Sequence, residues 1–208
     1  MSQPTHPRLF LTRRFTEAVE YARTLHIELR KSSNIPYMAH LLGVTAIVMA
    51  EAGGPVPVTE DIVIAALLHD AVEDHGGLPR LHDIQSSFGP TVARLVHSLS
   101  DSFSEDGNDK APWEARKQAY IDRLHLEELD ALLISAADKL YNARAILDDY
   151  REVGPLVWQR FHRGRNQQLW YFRALLDVFE ARLPSRVVSD LARTVNELDQ
   201  LSSNEISQ

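Results

Sequence analysis

The chain has 208 residues, 44% hydrophobic and 25% charged, so it is long enough for a full core and has the composition of an ordinary globular protein. Its net charge of −7 includes no concentrated basic run, which argues against double-stranded nucleic acid as the main partner, because such binding needs many Lys and Arg contacts to phosphates. The absence of cysteine excludes disulfides and thiolate chemistry.

The N-terminal segment and the overall hydropathy bear on where the protein works. The first ten residues, MSQPTHPRLF, contain no apolar signal core, and no apolar run approaches about 20 residues. We therefore expect a cytoplasmic protein with no membrane partner. A small anionic substrate remains open, since it needs only a local basic cluster, and the sequence does not indicate an oligomeric state.

Apolar residues recur at helical spacing along most of the chain, which predicts an all-α, compact fold of about nine or ten helices with no sheet. The polar segment 100–112 predicts a mobile loop. One helix is predicted from an N-cap at Thr59 to the pair Gly76 and Gly77. The others are predicted over 12–30, 38–52, 81–88, 90–99, 113–124, 126–151, 157–161, 166–182 and 185–201.

The stretch 62–77, IVIAALLHDAVEDHGG, is apolar but carries four acid–base side chains. His69 and Asp70 are adjacent, and Glu73 and Asp74 follow each of them at i+4, which places them on one face of a continuous helix. Unpaired buried charge is costly, so a divalent cation is an economical partner. The plainer alternative is a hydrogen-bonded core histidine followed by an exposed helix end, and a lone His-Asp pair would favour that alternative.

Two further residues decide between these alternatives. Asp138 follows the apolar run 132–137, so a surface pairing with Lys139 or Arg144 explains it poorly. His40 lies near the start of the second predicted helix and, taken alone, is more readily structural than a ligand.

Together, His40, His69, Asp70 and Asp138 supply two imidazoles and two carboxylates from three helices. Such a set suits Mn²⁺, Fe²⁺, Co²⁺ or Zn²⁺ better than Ca²⁺, which prefers oxygen ligands. Four protein ligands leave coordination positions open for water and a substrate oxygen, as catalysis requires.

The order of these four residues resembles the H…HD…D signature of HD-domain phosphohydrolases. Three segments are similar to the hydrolase domain of the Rel/Spo stringent-response enzymes: Arg30-Lys31-Ser32 … Pro36-Tyr37-x-x-His40, Ala66-Leu67-Leu68-His69-Asp70-x-x-Glu73-Asp74, and Ala137-Asp138-Lys139-Leu140-Tyr141-Asn142-x-Arg144. Without a synthetase or regulatory part, the chain resembles the stand-alone small alarmone hydrolases. The resemblance implies one hydrolase domain over 1–208, with motifs within 15–150 and helices in 155–201 completing the bundle.

The resemblance also implies an activity: removal of the 3′-pyrophosphate from (p)ppGpp, giving GDP or GTP. The four ligands would hold one Mn²⁺, for which Fe, Co or Zn could substitute, and Glu73 and Asp74 would orient or deprotonate the attacking water. The implied substrate contacts are Arg30, Lys31, Ser32, Asn142 and Tyr141. For Arg30 and Lys31, the sequence equally allows an interpretation as the solvated end of the first helix.

Departures from the family pattern leave the substrate open. His26-Ile27-Glu28-Leu29 replaces the usual H-x-G-Q, Leu41 replaces a proline, and Lys139 replaces an arginine. The alternative substrates are the adenosine alarmone (pp)pApp, NADPH and a nucleoside monophosphate. A non-catalytic, antitoxin-like protein is a further alternative, against which the complete ligand set argues.

His75 follows Asp74 closely enough to line the same site, although we favour a role limited to capping the helix end near Gly76. No spacing in the sequence indicates the additional ligands of a dinuclear HD site, so we expect one metal ion.

Overall fold

The computed structural model describes residues 8–31, 33–100 and 111–204. Within these ranges the regular structure consists of ten α-helices and one 3₁₀ helix, with an isolated bridge between Leu29 and Pro36 but no strand, so the all-α prediction is confirmed. The loop predicted at 100–112 lies mostly outside the described residues. The helices are α1 Arg13–Leu25, α2 Tyr37–Ala50, α3 Glu60–Leu67, α4 Ala71–Asp74, α5 Gly77–Phe88, α6 Pro90–Leu99, α7 Trp113–Leu124, α8 Leu129–Val153, the 3₁₀ helix Gly154–Arg160, α9 Gly164–Arg182 and α10 Arg186–Asn204.

The core is built around α3, which packs against α1, α2, α6 and α8. Its residues 62–67 are almost completely inaccessible to solvent, as are residues 131–137 of α8. The prediction that a buried run precedes Asp138 is therefore confirmed. Because the two buried runs end close to each other, the polar residues that follow them are brought together.

The prediction that one helix continues through His69 and Asp70 is wrong. Helix α3 ends at Leu67, the chain turns over residues 68–70, and α4 begins at Ala71. The last carbonyl groups of a helix have no partner in the helix itself. The turn lets the His69 ring fold back so that its Nδ1 lies 2.9 Å from the Ala66 carbonyl oxygen, which gives one of these groups a partner.

The first helix is also shorter than predicted, since it ends at Leu25 rather than at Arg30. The following segment is extended and pairs with the residues that precede α2. The amide of Arg30 donates to the Ile35 oxygen at 2.8 Å, and the amide of Tyr37 donates to the Glu28 oxygen at 2.9 Å. These bonds place Arg30 beside the start of α2 instead of at a solvated helix end.

Other boundaries differ by a few residues. Helix α5 begins at Gly77, four residues before its predicted start, and Gly76 takes a φ of +104°, which only glycine adopts readily, to separate it from α4. The predicted N-cap at Thr59 and the predicted helices 90–99 and 113–124 are confirmed. Every described helix falls short of the combination of length and hydropathy needed to span a bilayer.

Candidate active site

The four candidate ligands converge at one point. The Nε2 atom of His40 lies 3.3 Å from Nε2 of His69 and 3.3 Å from Oδ2 of Asp70. Oδ1 of Asp138 lies 3.4 Å from Nε2 of His40 and 3.7 Å from Nε2 of His69. The ligand atoms of a single ion bound at about 2.1 Å are separated by similar distances. The ligand atoms of His40, His69 and Asp70 all lie within 4.8 Å of one another, and Asp138 adjoins this group through the two imidazoles. Helices α2 and α8 and the turn after α3 therefore supply a donor set for one divalent cation.

The electrostatics of this site favour positive charge at its centre. Burial would lower the pKa of His69, but the carboxylates of Asp70 and Asp138 outweigh burial and hold it well above its usual value. Since Nδ1 of His69 must donate to the Ala66 carbonyl oxygen, Nε2 is the atom that faces the carboxylates. This nitrogen binds either a proton or a metal ion, so the donor set fits a cation chemically as well as geometrically.

Both carboxylates are oriented by neighbours outside the donor set. The Tyr37 hydroxyl donates to Oδ2 of Asp70 at 2.7 Å, and burial together with nearby carboxylates raises the pKa of that hydroxyl, which keeps its proton. Lys139 Nζ donates to Oδ2 of Asp138 at 2.5 Å. Burial would raise the pKa of Asp138, but Lys139 and His69 outweigh burial and hold it well below its usual range. Asp138 is therefore an anion at neutral pH.

Glu73 and Asp74 lie on α4, one turn beyond the HD pair, as predicted from their spacing. They line the same cleft as His40, Asp70 and Asp138. Glu73 is half-buried and Asp74 is exposed, so both carboxylates are within reach of water. Their position allows either one to accept a proton from a water molecule at the centre of the cleft.

Arg30 enters the cleft between two aromatic rings. Its guanidinium carbon lies 5.5 Å from the ring centre of Tyr141 and 6.0 Å from that of Tyr37, within the range of a cation–π contact. Its Nη2 donates to Oδ1 of Asn142 at 2.9 Å, and Nδ2 of Asn142 donates to Oδ1 of Asp138 at 2.6 Å. Asn142 therefore connects Arg30 to the donor set.

The cleft has a volume of about 410 Å³ and is lined by more charged side chains than the sequence predicts, including Asp149, which accepts a hydrogen bond from Arg160. Lys31 lies on its wall, as expected, whereas Ser32 lies outside the described residues. Lys117, Arg160 and Phe161 also line it and were missed. They come from α7 and from the end of the 3₁₀ helix, and no motif or spacing in the sequence relates these segments to the HD pair.

His75 forms the C-cap of α4, as favoured from the sequence, and does not line the cleft. Its ring points instead toward His26 and Glu28 in the extended segment after α1. Nε2 of His75 lies 3.2 Å from Nδ1 of His26 and 3.4 Å from Oε1 of Glu28.

Comparison with known families separates this arrangement from a chance grouping of polar residues. The HD domain family matches residues 18–166, a range that includes all four candidate ligands as well as Glu73 and Asp74. The chain belongs to the HD-domain family. Membership in this family implies a divalent metal ion, and the group His40, His69 and Asp70 could hold one.

Several relatives in the HD-domain family carry names that describe an activity. Mouse MESH1, named guanosine-3′,5′-bis(diphosphate) 3′-pyrophosphohydrolase, is 33% identical over 186 residues, which cover 80% of this chain and 93% of the mouse protein. Human MESH1 is 34% identical over 158 residues, covering 74% and 78% of the two chains. The bifunctional (p)ppGpp synthase/hydrolase SpoT of Escherichia coli K12 is 29% identical over 134 residues, covering 64% of this chain and 18% of SpoT.

Solved structures with the same fold extend over most of the chain. A metazoan ortholog of SpoT, described as hydrolysing ppGpp, matches with a TM-score of 0.72 and 26% identity over 90% of this chain and 97% of its own. A Listeria monocytogenes protein matches with a TM-score of 0.64 and 30% identity over 76% and 97% of the two chains.

Proposed function

We propose that this protein is a metal-dependent hydrolase that removes the 3′-pyrophosphate from (p)ppGpp and leaves the 5′-phosphates in place, giving GDP or GTP and pyrophosphate. The observation that carries the proposal is the convergence of two imidazoles and two carboxylates beside a cleft that also contains an acidic pair and several cations. The names of the MESH1 relatives support the same substrate. We also propose that the whole chain is one hydrolase domain, since its buried apolar side chains form one cluster.

His40, His69, Asp70 and Asp138 would hold the cation, and we propose Mn²⁺ as the native ion because two nitrogen and two oxygen ligands suit it. A divalent cation there would polarise the phosphate oxygens of the substrate and acidify a water molecule. Tyr37 and Lys139 hold the two carboxylates in orientation through hydrogen bonds, which keeps the donor set preorganised.

Glu73 and Asp74 would accept the proton that the attacking water releases. Water adds to the proximal phosphorus of the 3′-diphosphate, and the bond from that phosphorus to the ribose 3′-oxygen breaks. A carboxylate of the pair accepts the proton released by the water, and the leaving 3′-oxygen takes up one proton to become the 3′-hydroxyl of the product. A general base needs to be within reach of the water it deprotonates, and both residues face the cleft. The half-buried Glu73 is less hydrated than Asp74, which favours it as the base.

The cations of the cleft would neutralise the substrate phosphates. Arg30 is held at a fixed position by Tyr37, Tyr141 and Asn142, so it presents its remaining guanidinium hydrogens to one phosphate group. Lys31, Lys117 and Arg160, the last of which is paired with Asp149, would bind the others. In this arrangement Asn142 acts on the substrate through Arg30, in place of the direct ribose and phosphate contact expected from the sequence.

The test is to incubate the purified chain with ppGpp and Mn²⁺ and to measure pyrophosphate and GDP. Equimolar release of both products supports the proposal, and no release with Mn²⁺, Fe²⁺, Co²⁺ or Zn²⁺ would rule this substrate out. The same assay with pppGpp, (pp)pApp, NADPH and nucleoside monophosphates measures selectivity. If kcat/KM is higher for one of these, the reaction class stands and the substrate assignment is wrong.

A further inference from the structure

A second group of potential metal ligands lies outside the donor set already described. It consists of His26, Glu28 and His75, here called the His26–Glu28–His75 cluster. Nδ1 of His26 lies 2.9 Å from Oε1 of Glu28 and 3.2 Å from Nε2 of His75, and the third distance, from Nε2 of His75 to Oε1 of Glu28, is 3.4 Å. One ligand atom from each residue therefore points to a common centre.

We propose that the His26–Glu28–His75 cluster is a second divalent metal site, selective for zinc or a similar transition ion. Ligand atoms bound to zinc at about 2.1 Å in tetrahedral geometry are about 3.4 Å apart, and two of the three distances in the cluster are within about 0.2 Å of that value. Two imidazoles and one carboxylate are a zinc-type ligand set, and they do not suit Ca²⁺ or Mg²⁺, which require oxygen ligands.

The cluster is partly buried. The side chain of His26 is completely buried, while those of Glu28 and His75 are 38% and 27% exposed, so an ion reaches the site from solvent and can complete its coordination with water. Burial lowers the pKa of His26 despite the nearby Glu28, so the ring is neutral at pH 7, the form that binds metal. The His26 ring is also held in place by stacking on Tyr37, with the ring centres 5.0 Å apart and the planes 10° apart.

The cluster joins two segments that contribute side chains to the cleft. His75 directly follows Asp74 at the end of α4, and Glu28 precedes Arg30 by two residues in the extended segment after α1. An ion bound to all three residues would fix the acidic pair of α4 relative to Arg30. This positioning role rests on the proposed function, whereas the binding of the ion does not. Glu28 occupies a position where the family pattern has glycine, so relatives with glycine there would lack this ligand.

Metal stoichiometry tests the proposal directly. The full chain is stripped of metal, equilibrated with Zn²⁺, and analysed by elemental mass spectrometry after removal of free ion. We expect two equivalents in the wild type and one in each of His75→Ala and Glu28→Gln. His82→Ala, which removes an exposed histidine from α5, is the matched control and should keep two. Asp138→Asn should keep only the second ion, and Asp138→Asn with His75→Ala should bind none.

The outcomes separate the proposal from its alternatives. A single equivalent in the wild type, or unchanged stoichiometry in both His75→Ala and Glu28→Gln, would overturn it and leave a hydrogen-bonded cluster. Circular dichroism identifies any variant that fails to fold, and the two single variants remove different ligands, so one of them suffices for the test. Two equivalents without ppGpp hydrolysis would contradict the proposed function alone, and hydrolysis with one equivalent would contradict the second site alone.

Discussion

Arg30 and Asn142 are 112 residues apart in the chain and are joined by a 2.9 Å hydrogen bond from Nη2 of the guanidinium to the amide Oδ1. The other end of the same amide donates to Oδ1 of Asp138 at 2.6 Å. A single asparagine thereby connects Arg30, which is proposed to bind phosphate, with a candidate metal ligand. These hydrogen bonds fix the distance between the bound phosphate and the metal.

Replacing Asn142 with leucine, which has a similar shape but makes no hydrogen bonds, is expected to release Arg30 without removing its charge. The loss of hydrogen bonds to two charged groups should cost about 1.5–3 kcal/mol of transition-state binding, or about 10- to 150-fold in kcat/KM. Steady-state kinetics with ppGpp measures this effect. Gln85→Leu, at an exposed position of α5, is the control, and an unchanged kcat/KM in Asn142→Leu would contradict the connection proposed here.

Glu73→Gln and Asp74→Asn separate proton transfer from metal retention. Because α4 places both carboxylates on the cleft but outside the convergent donor set, each variant should fold, keep its metal and lose kcat. Loss of the residue that acts as base is expected to reduce kcat by about 10²- to 10⁴-fold. Asp138→Asn should instead lose metal and activity together. Full turnover in both α4 variants would show that neither residue acts as the general base.

Chelation provides an independent test of the metal requirement. Prolonged treatment with a chelator is expected to abolish hydrolysis, and adding Mn²⁺ should restore it, because substrate polarisation depends on the ion held by the donor set. Hydrolysis that persists after elemental analysis shows the protein to be metal-free would be incompatible with the proposed mechanism.

Gly43 on α2 is a position where even one added methyl group should disturb the site. A Cβ atom built there would lie 2.6 Å from Cδ2 of Tyr141. The ring centre of Tyr141 is 4.9 Å from that of His40, and the ring makes a cation–π contact with Arg30. Gly43→Ala is expected to lower the free energy of unfolding by about 1–3 kcal/mol, since overpacking forces the ring to move, and to reduce activity. Urea denaturation and kinetics measure the two effects.

The companion variant Tyr141→Leu shows whether that ring is the cause. With a smaller side chain at position 141, Gly43→Ala should cost less than it does in the wild type, giving a non-zero coupling energy in a double-mutant cycle. Strict additivity of the two changes would mean that the added methyl group acts on something other than Tyr141.

Glu60 makes stability depend on pH. Its carboxylate accepts hydrogen bonds from the Thr12 amide at 2.5 Å and the Thr12 hydroxyl at 3.1 Å, and it pairs with Arg14 at 3.3 Å. Burial would raise the pKa of Glu60, but these contacts outweigh burial and lower it below 4.5. A lowered pKa in the folded state contributes stability above the unfolded value of 4.5, and that contribution is lost as pH falls through the folded value.

Glu60→Gln is therefore expected to be less stable than the wild type at pH 7, by about 1 kcal/mol, and the difference should disappear in acid, where the wild-type carboxyl is protonated. Denaturation at a series of pH values measures it, with Glu152→Gln as a control at an exposed position. A difference that stays constant from pH 7 to below the folded pKa would show that the charge of Glu60 is not responsible.

Three of the candidate ligands could be proposed from the sequence because each is a polar residue that follows directly on a run of apolar residues. Asp138 ends a run of buried side chains, and His69 and Asp70 follow another. Burial makes such residues costly unless they have partners, so residue type and position mark them as candidates, whereas His40 becomes a candidate only in combination with the other three. The turn at His69 is not predictable in this way, because the i+4 spacing of the polar residues continues across it. Helical bonding resumes in α4, where the Asp74 amide donates to the Asp70 oxygen at 3.0 Å.

The rest of the cleft depends on contacts between segments far apart in the chain. Lys117 and Arg160 reach it from α7 and the 3₁₀ helix, and neither lies in a pattern that local periodicity detects. The requirement for glycine at position 43 likewise comes from a ring on another helix, Tyr141 of α8. Apolar spacing that continues up to Leu29 predicts a helix through Arg30, whereas backbone pairing with the Ile35–Tyr37 segment determines the conformation of Arg30.

Helix α4 contains only four residues, Ala71–Asp74, and a helix of that length has no stability of its own in water. Ala71 and Val72, both buried, hold it against the core from one side. Amide hydrogen exchange should therefore be fast in α4 relative to α3, through local openings that leave the rest of the fold intact. Any ligand that bridges Asp70 or His75 to another segment would slow exchange there selectively, which makes the protection of this single turn a direct measure of how well the acidic pair is held.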